Sequence, residues 1–165
     1  MNLEGKTAIV TGAAKGLGRS TAIRLAQSGA KVALVDIDQG RLQQVRESIV
    51  ALGGEAPAFT MDISSNTAVE EAVAAILTTF GHVDILINNA GSGWHRQSHF
   101  KDTLNKDWEW ILDLNVKGAL YITHAVVNHM VARRYGKIVN VASIAATTGI
   151  PTNPANNSLA IVLDL

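Results

Sequence analysis

The amino-acid sequence predicts an α/β chain, a doubly wound parallel sheet with helices on both faces. Two observations carry this. Short apolar runs rich in β-branched residues recur without strict alternation, as strands buried on both faces do. Amphipathic helical stretches separate them, and that alternation implies parallel strands. The runs are Thr7 to Val10, Val32 to Val35, Ile85 to Ile87 and Ile138 to Val141, with a weaker one from Pro57 to Met61.

The helical stretches follow in order. A first helix begins directly after the glycine-rich turn at Thr11 to Gly18. Leu42, Val45, Ile49 and Leu52 form one apolar stripe, and Val69, Val73, Ile76, Leu77 and Phe80 another. Gly29, Gly53 and Gly81 stand where left-handed caps end helices, and Ser64 to Thr67 offers side chains that cap a start. The longest stretch runs from about Asn105 to Arg134, with Trp108, Ile111, Leu112, Ile122, Val126 and Met130 at core-compatible spacing. Asn115 and Gly118 lower helix propensity in its middle, which predicts a bend or local opening there. Arg133 and Arg134 complement the dipole at its end.

Composition narrows the partners. With 165 residues the chain fits one domain, and 47% apolar against 17% charged residues is globular rather than disordered composition. Lys plus Arg and Asp plus Glu each number 14, so no net field draws the chain to nucleic acid or an anionic membrane, and a small molecule is the expected partner. There is no cysteine, which excludes disulfides and thiolate chemistry. The first residues carry no apolar signal region, and the apolar stretch near residue 120 is interrupted by His124, Asn128 and His129, so a cytoplasmic chain outside the membrane is expected. His95 and His99 have ligand-like spacing, but no carboxylate completes a motif, so no metal site is expected.

The sharpest chemical feature follows the first strand: Thr11-Gly12-Ala13-Ala14-Lys15-Gly16-Leu17-Gly18. Glycines permit a tight turn and let backbone approach a pyrophosphate, whose charge meets the unsatisfied N–H groups of a helix N-terminus. The strand–turn–helix context reads as a Rossmann-type dinucleotide site, with the spacing GxxxGxG rather than GxGxxG; the alternative is a strand-to-helix turn whose glycines serve packing alone. Asp36 ends the second strand, 18 residues after Gly18, where an acid addresses the adenosine ribose; the alternative is a helix cap beside Asp38. At about 5 Å and an effective dielectric near 20, its carboxylate opposes each unit charge of a 2′-phosphate by roughly 3 kcal/mol. That favours NAD over NADP, although Lys15 pulls the other way.

From here the sequence resembles a classical short-chain dehydrogenase/reductase over residues 3 to about 155. The motifs are Thr11 to Gly18, Asp62-Ile63 after the third strand, Asn88-Asn89-Ala90-Gly91 after the fourth, Asn115 with Val116 and Gly118, and Gly136 to Ser143. The resemblance implies a nicotinamide cofactor and hydride exchange with a secondary alcohol or ketone. Gly12, Lys15, Gly16, Leu17 and Gly18 would then form the cofactor turn, Asp36 and Ile37 its ribose end, and Asp62 and Ile63 would flank the adenine. Asn89, Ala90 and Gly91 would line the nicotinamide-ribose side. Asn115 would belong to a proton relay and Ser143 would bind the substrate oxygen. Plainer roles stand beside these: a helix cap for Asp62, and a turn for Asn88 and Asn89.

The family's catalytic Tyr-x-x-x-Lys falls on Asn156-Asn157-Ser158-Leu159-Ala160, where neither residue is present. The reading is therefore a dinucleotide-binding domain over residues 1–155 with a divergent tail at 156–165, and a sheet incomplete at its C-terminal side. The tail can start a helix or a strand. An edge left open along Ile138 to Ala142 predicts self-association. Ser92 to His99 either borders a substrate pocket or fills a loop. Two functions stay open: an alcohol dehydrogenase or ketone reductase, and a non-catalytic nucleotide-binding or interaction fragment.

Overall fold

The computed structural model describes residues 2–93 and 104–143 and the backbone of 162–164. Its elements in chain order are β1 (Thr7–Thr11), α1 (Gly16–Gln27), β2 (Lys31–Asp36), α2 (Gln39–Ala51), β3 (Ala58–Thr60), α3 (Asn66–Phe80), β4 (Ile85–Asn88), α4 (Asn105–Leu112), a π-helical turn (Asp113–Lys117), α5 (Gly118–Arg133), β5 (Lys137–Asn140) and β6 (Val162–Asp164). The sheet order is β3-β2-β1-β4-β5-β6. The first five strands are parallel, so the order reverses between β1 and β4 and opens a crevice at their C-terminal ends.

Alternation along β1 divides the core. Ala8 and Val10 face α1 and α2 through Ala22, Leu42, Val45 and Ile49. Ile9 faces α3 and α5 through Val73, Ile76, Ile122, Val126 and Met130. All five β1 residues are buried, as a central strand covered on both faces must be. The glycines foreseen as terminators take positive φ, with Gly29 at 95°, Gly53 at 81° and Gly81 at 76°, and the Ser65 side chain caps α3 by accepting from Ala68 N–H.

The long helix departs from its expected form in an informative way. The local opening foreseen around Asn115 is a π-helical turn, spanned by a 2.6 Å ion pair from Lys117 to Asp113. That hydrogen bond raises the Lys117 pKa above its ordinary value. A π turn inserts an extra residue and shifts the register of the helix before it. Ile111 remains buried, but Trp108 and Leu112, expected in the core from regular spacing, are exposed. Leu52, at the last turn of α2, is likewise exposed.

The sheet edge also differs from the expectation. β6 pairs antiparallel with β5, matching Lys137 to Asp164, Ile138 to Leu163 and Val139 to Val162. The outer edge of β5 is thus not left open, because residues of the same chain satisfy its peptide groups, and the edge argument for self-association loses its basis.

At the N-terminal end of the sheet, one buried carboxylate ties three segments together. Asp84 accepts from Thr7 N–H at 3.0 Å and from Arg133 Nη1 at 3.0 Å, and His82 Nε2 lies 3.2 Å from its Oδ2. Arg133 also donates to Val83 O, so it joins α5 to β4 as well as complementing the helix dipole. Burial by itself would raise the Asp84 pKa; donation from Thr7 and Arg133 and the nearby positive charge hold it below the ordinary value. A depressed folded-state pKa stabilises the fold above the ordinary value of 3.8, and that contribution is lost as pH falls through the folded-state value. Asp84→Asn leaves Arg133 facing a neutral amide and is expected to cost about 2–3 kcal/mol at pH 7. In urea unfolding, the gap between the two proteins should narrow as pH drops below 3.8; a gap independent of pH would contradict this account.

Candidate functional site

The crevice at the C-terminal ends of β1, β2, β3 and β4 holds a cleft of about 520 Å³. Gly12, Lys15, Gly16, Leu17, Asp36, Ile37, Asp62, Ile63, Asn89, Ala90 and Gly91 all line it. These are eleven of the twelve cofactor-side residues read from the sequence; Gly18 lies behind them.

The three glycines of the turn serve different needs. At Gly12, with φ 66°, a Cβ would lie 2.8 Å from Asn89 Nδ2 and 2.9 Å from Ala90 Cα. At Gly18 a Cβ would collide with the Gly12 carbonyl and with Asn89 Nδ2. Both therefore allow close packing of the turn on β4. Gly16, with φ 54°, meets nothing within 4 Å, so glycine there serves the left-handed backbone rather than close packing, and it lines the cleft. Lys15 is the N-cap of α1 in extended conformation, and no side chain caps the helix. The first-turn N–H groups therefore face the cleft as an anion cradle.

Thr11, quoted in the sequence only as part of the motif, is the hub that holds this cradle. Its Oγ1 accepts from Asn89 N–H at 3.0 Å and Ala90 N–H at 2.9 Å while donating to Ile87 O. Asn89 returns the link, its Nδ2 donating to Thr11 O at 2.9 Å and Gly12 O at 3.3 Å. Asn89 thus fastens β4 to the glycine turn. Asn88 is buried and donates to Thr123 Oγ1 and to Asn140 Oδ1, joining β4, α5 and β5.

Asp36 sits where the ribose-binding acid was expected, but it also organises the turn. Its Oδ2 accepts from Ala14 N–H at 3.0 Å and its Oδ1 from Asp38 N–H at 3.1 Å. Asp38, not Asp36, caps α2 by accepting from Arg41 N–H. Each Asp36 oxygen keeps a second lone pair, so a diol can still bind. Asp62 is not a helix cap either; its Oδ1 accepts from the Ser64 N–H and hydroxyl in a tight turn at the cleft wall. Sequence reading missed Arg41, Met61, Ser64, Trp110 and Leu114 as cleft residues. For Trp110 and Leu114 the signal lay in the π turn, which regular periodicity cannot locate.

Toward β5, Asn115 is held by a two-way bond, Oδ1 accepting from Ser92 N–H and Nδ2 donating to Ser92 O, both at 2.9 Å. A Cβ on Gly91 would come within 2.7 Å of Asn115 Oδ1, so glycine is needed there. Ser143, three residues past β5, is exposed and is not among the cleft's lining residues. Tyr135 stacks under Lys6 Nζ at 3.8 Å, beside the start of β5 and away from the cleft. His95, His99 and the 156–160 frame lie outside the described residues. Among the described residues no helix is long and apolar enough to cross a membrane.

Comparison with known proteins agrees with this architecture. The family model for short chain dehydrogenases matches residues 6–157, and the chain belongs to that family. It is 34% identical over its whole length to a (2S)-[(R)-hydroxy(phenyl)methyl]succinyl-CoA dehydrogenase subunit of Thauera aromatica, covering 66% of that protein. It is 32% identical over 98% of its length to a 3-oxoacyl-[acyl-carrier-protein] reductase of Thermotoga maritima, again covering 66%. Among solved structures, NAD+-bound xylitol dehydrogenase superposes with a TM-score of 0.90 at 35% identity, over 95% of this chain and 60% of that one. A metagenomic short-chain oxidoreductase in complex with NADP superposes with a TM-score of 0.90 at 32% identity, over 94% of this chain and 70% of that one. The chain thus spans slightly less than two thirds of the curated relatives' length.

The Thr11 hub makes a sharp prediction. Thr11→Val keeps the shape but leaves the Asn89 and Ala90 N–H groups without their acceptor, at about 1–3 kcal/mol for each donor left unsatisfied. Urea unfolding should therefore show a loss of at least about 2 kcal/mol, and Thr11→Ser, which keeps the hydroxyl, should recover most of it. Equal losses in the two variants would show that the hydroxyl is not the hub.

Proposed function

We propose that this chain is the dinucleotide-binding unit of an NAD(P)-dependent oxidoreductase that exchanges hydride with a secondary alcohol or ketone, with NAD preferred over NADP. The observation that carries the reading is the α1 N-terminus, which has no side-chain cap and whose first residues, Gly16 and Leu17, line the same cleft as Asp36. The residues suit the cofactor. Backbone N–H groups at the start of α1 would hold the pyrophosphate, Asp36 the adenosine ribose, Asp62 and Ile63 the adenine edge, and Asn89 to Gly91 the nicotinamide ribose. When bound, the nicotinamide supplies the hydride chemistry and the protein supplies orientation and a proton path.

Electrostatics supports NAD. A 2′-phosphate beside Asp36 meets a carboxylate at close range. Arg41 is the cation that would answer it, but Arg41 already pairs with Asp38 at 3.4 Å. Lys15 reaches the rim on a flexible stem, which orders a charge less well than a fixed guanidinium. Titrating nucleotide-induced fluorescence at one salt concentration should give tighter binding of NADH than NADPH. Asp36→Asn removes the charge and keeps one acceptor oxygen, at the cost of the bond from either Ala14 N–H or Asp38 N–H, and should narrow the difference. Equal affinities in the unsubstituted chain would mean that the cations govern the site.

The proton path is where this chain departs from its family pattern. Ser143 would orient a substrate oxygen, but Asn115 has both amide atoms engaged with Ser92. Asn156 and Ala160 stand where the resemblance expects tyrosine and lysine, and neither side chain exchanges a proton near neutral pH. The acid–base contribution, typically about 10²–10⁴-fold, is then absent. These residues favour a second reading, a nucleotide-binding chain with little catalysis. Following reduced nicotinamide by absorbance over a panel of secondary alcohols and ketones separates the two. We expect binding with turnover well below the ordinary range of roughly 1–10³ per second; an ordinary rate in the 165-residue chain would place the proton donor elsewhere.

Self-association stays in the proposal on another surface than the β5 edge. Leu112 in α4, Val116 in the π turn and Leu120 and Val131 in α5 are exposed, and removing such side chains from water favours association.

A further inference from the structure

We propose that Trp110 forms the wall of the base-binding end of the cleft and gives it a preference for the adenine half of a dinucleotide. The inference rests on the dinucleotide reading above but concerns a residue that the motifs do not mark. Trp110 belongs to α4 and is 49% exposed, yet it lines the cleft together with Leu114, one turn further on.

The course of the helix places it. Arg133, at the end of α5, contacts Asp84 just before β4, so α4 and α5 descend from the C-terminal edge of the sheet to its N-terminal edge. Asn115 grips Ser92 beyond the end of β4. Trp110 lies five residues earlier, about 7 Å higher along the axis at 1.5 Å per residue, and therefore stands above the strand ends. On the same flank, Gly118 packs so closely that a Cβ would meet Ile63 Cδ1 at 2.7 Å.

Sheet order decides which half of the ligand this wall faces. With pyrophosphate at the start of α1 and the ribose acid at the end of β2, the adenosine continues toward β3. There the cleft is lined by Met61, Asp62, Ile63 and Ser64. Met61 and Ile63 give that end apolar atoms, and because the same helical run packs on Ile63 through Gly118, Leu114 and Trp110 are assigned to this apolar lining, which suits the flat face of a base on which an indole stacks. The opposite end, at Asn89 to Ser92, offers small and polar groups instead.

The test uses the 165-residue chain with NAD+, AMP and nicotinamide mononucleotide as probes. Trp110→Ala should weaken AMP and NAD+ by about tenfold or more, in line with alanine replacement of stacking aromatics, and leave nicotinamide mononucleotide unchanged. Trp110→Phe should restore most of the affinity. A chain carrying Trp94→Phe and Trp108→Phe keeps Trp110 as its sole tryptophan, and AMP should quench its fluorescence while nicotinamide mononucleotide does not. Thermal unfolding checks that the variants fold, and the sole-tryptophan chain reads the contact even where Trp110→Ala does not. NAD+ binding that is indifferent to Trp110→Ala, with no quenching by AMP, would overturn this inference alone. No nucleotide binding by the unsubstituted chain would overturn the dinucleotide reading and this inference with it.

Discussion

A parallel sheet ends in loops that its own hydrogen-bond ladder does not join, and here the Thr11 hydroxyl joins them. Through it the turn after β1 and the segment after β4 become one body. Asn89 closes the same junction from the other side, and the absence of side chains at Gly12 and Gly18 lets the two segments approach. Two other features of the cleft follow from that approach. The α1 N-terminus points into the crevice because the turn is pinned to β4, and Asp36 reaches across to Ala14 because the turn is held within reach.

The opposite end of the sheet is organised by charge instead of neutral hydrogen bonds. Asp84 gathers β1, β4 and α5 with Arg133 and His82 as partners. Such a cluster stabilises only while its carboxylate is ionised, which suits an end remote from the chemistry. The site end uses uncharged links from Thr11, Asn88, Asn89 and Asn115, and leaves its charges on Lys15, Asp36, Asp62 and Arg41 at the rim of the cleft.

The strands and helices were legible because burial on both faces and one-face stripes leave strong periodic signals. Val32 to Val35 and the stripe at Leu42, Val45 and Ile49 are buried as their spacing implied. From the glycine turn, the ends of β2 and β3 and the motif after β4, eleven residues that share one cleft were legible as neighbours. What the sequence concealed has physical causes. The π turn breaks the period, so Trp108 and Leu112 fell on the wrong face and Trp110 was overlooked. Side-chain bonds to distant backbone, such as those of Thr11 and Asp84, leave no periodic trace. The strand Val162–Asp164 is three residues long, too short for alternation to distinguish it from a helix start.

The proposed function requires the α1 N-terminus at Gly16 to receive the phosphates of a dinucleotide. Amide NMR of the 15N-labelled chain during NAD+ titration tests it most directly. The account predicts saturable shifts at Ala14, Gly16, Leu17 and Gly18 and at the end of β2, with Asp84 and Lys137 at the other sheet edge unmoved. Saturable binding that leaves the α1 amides unshifted and moves other residues would contradict it.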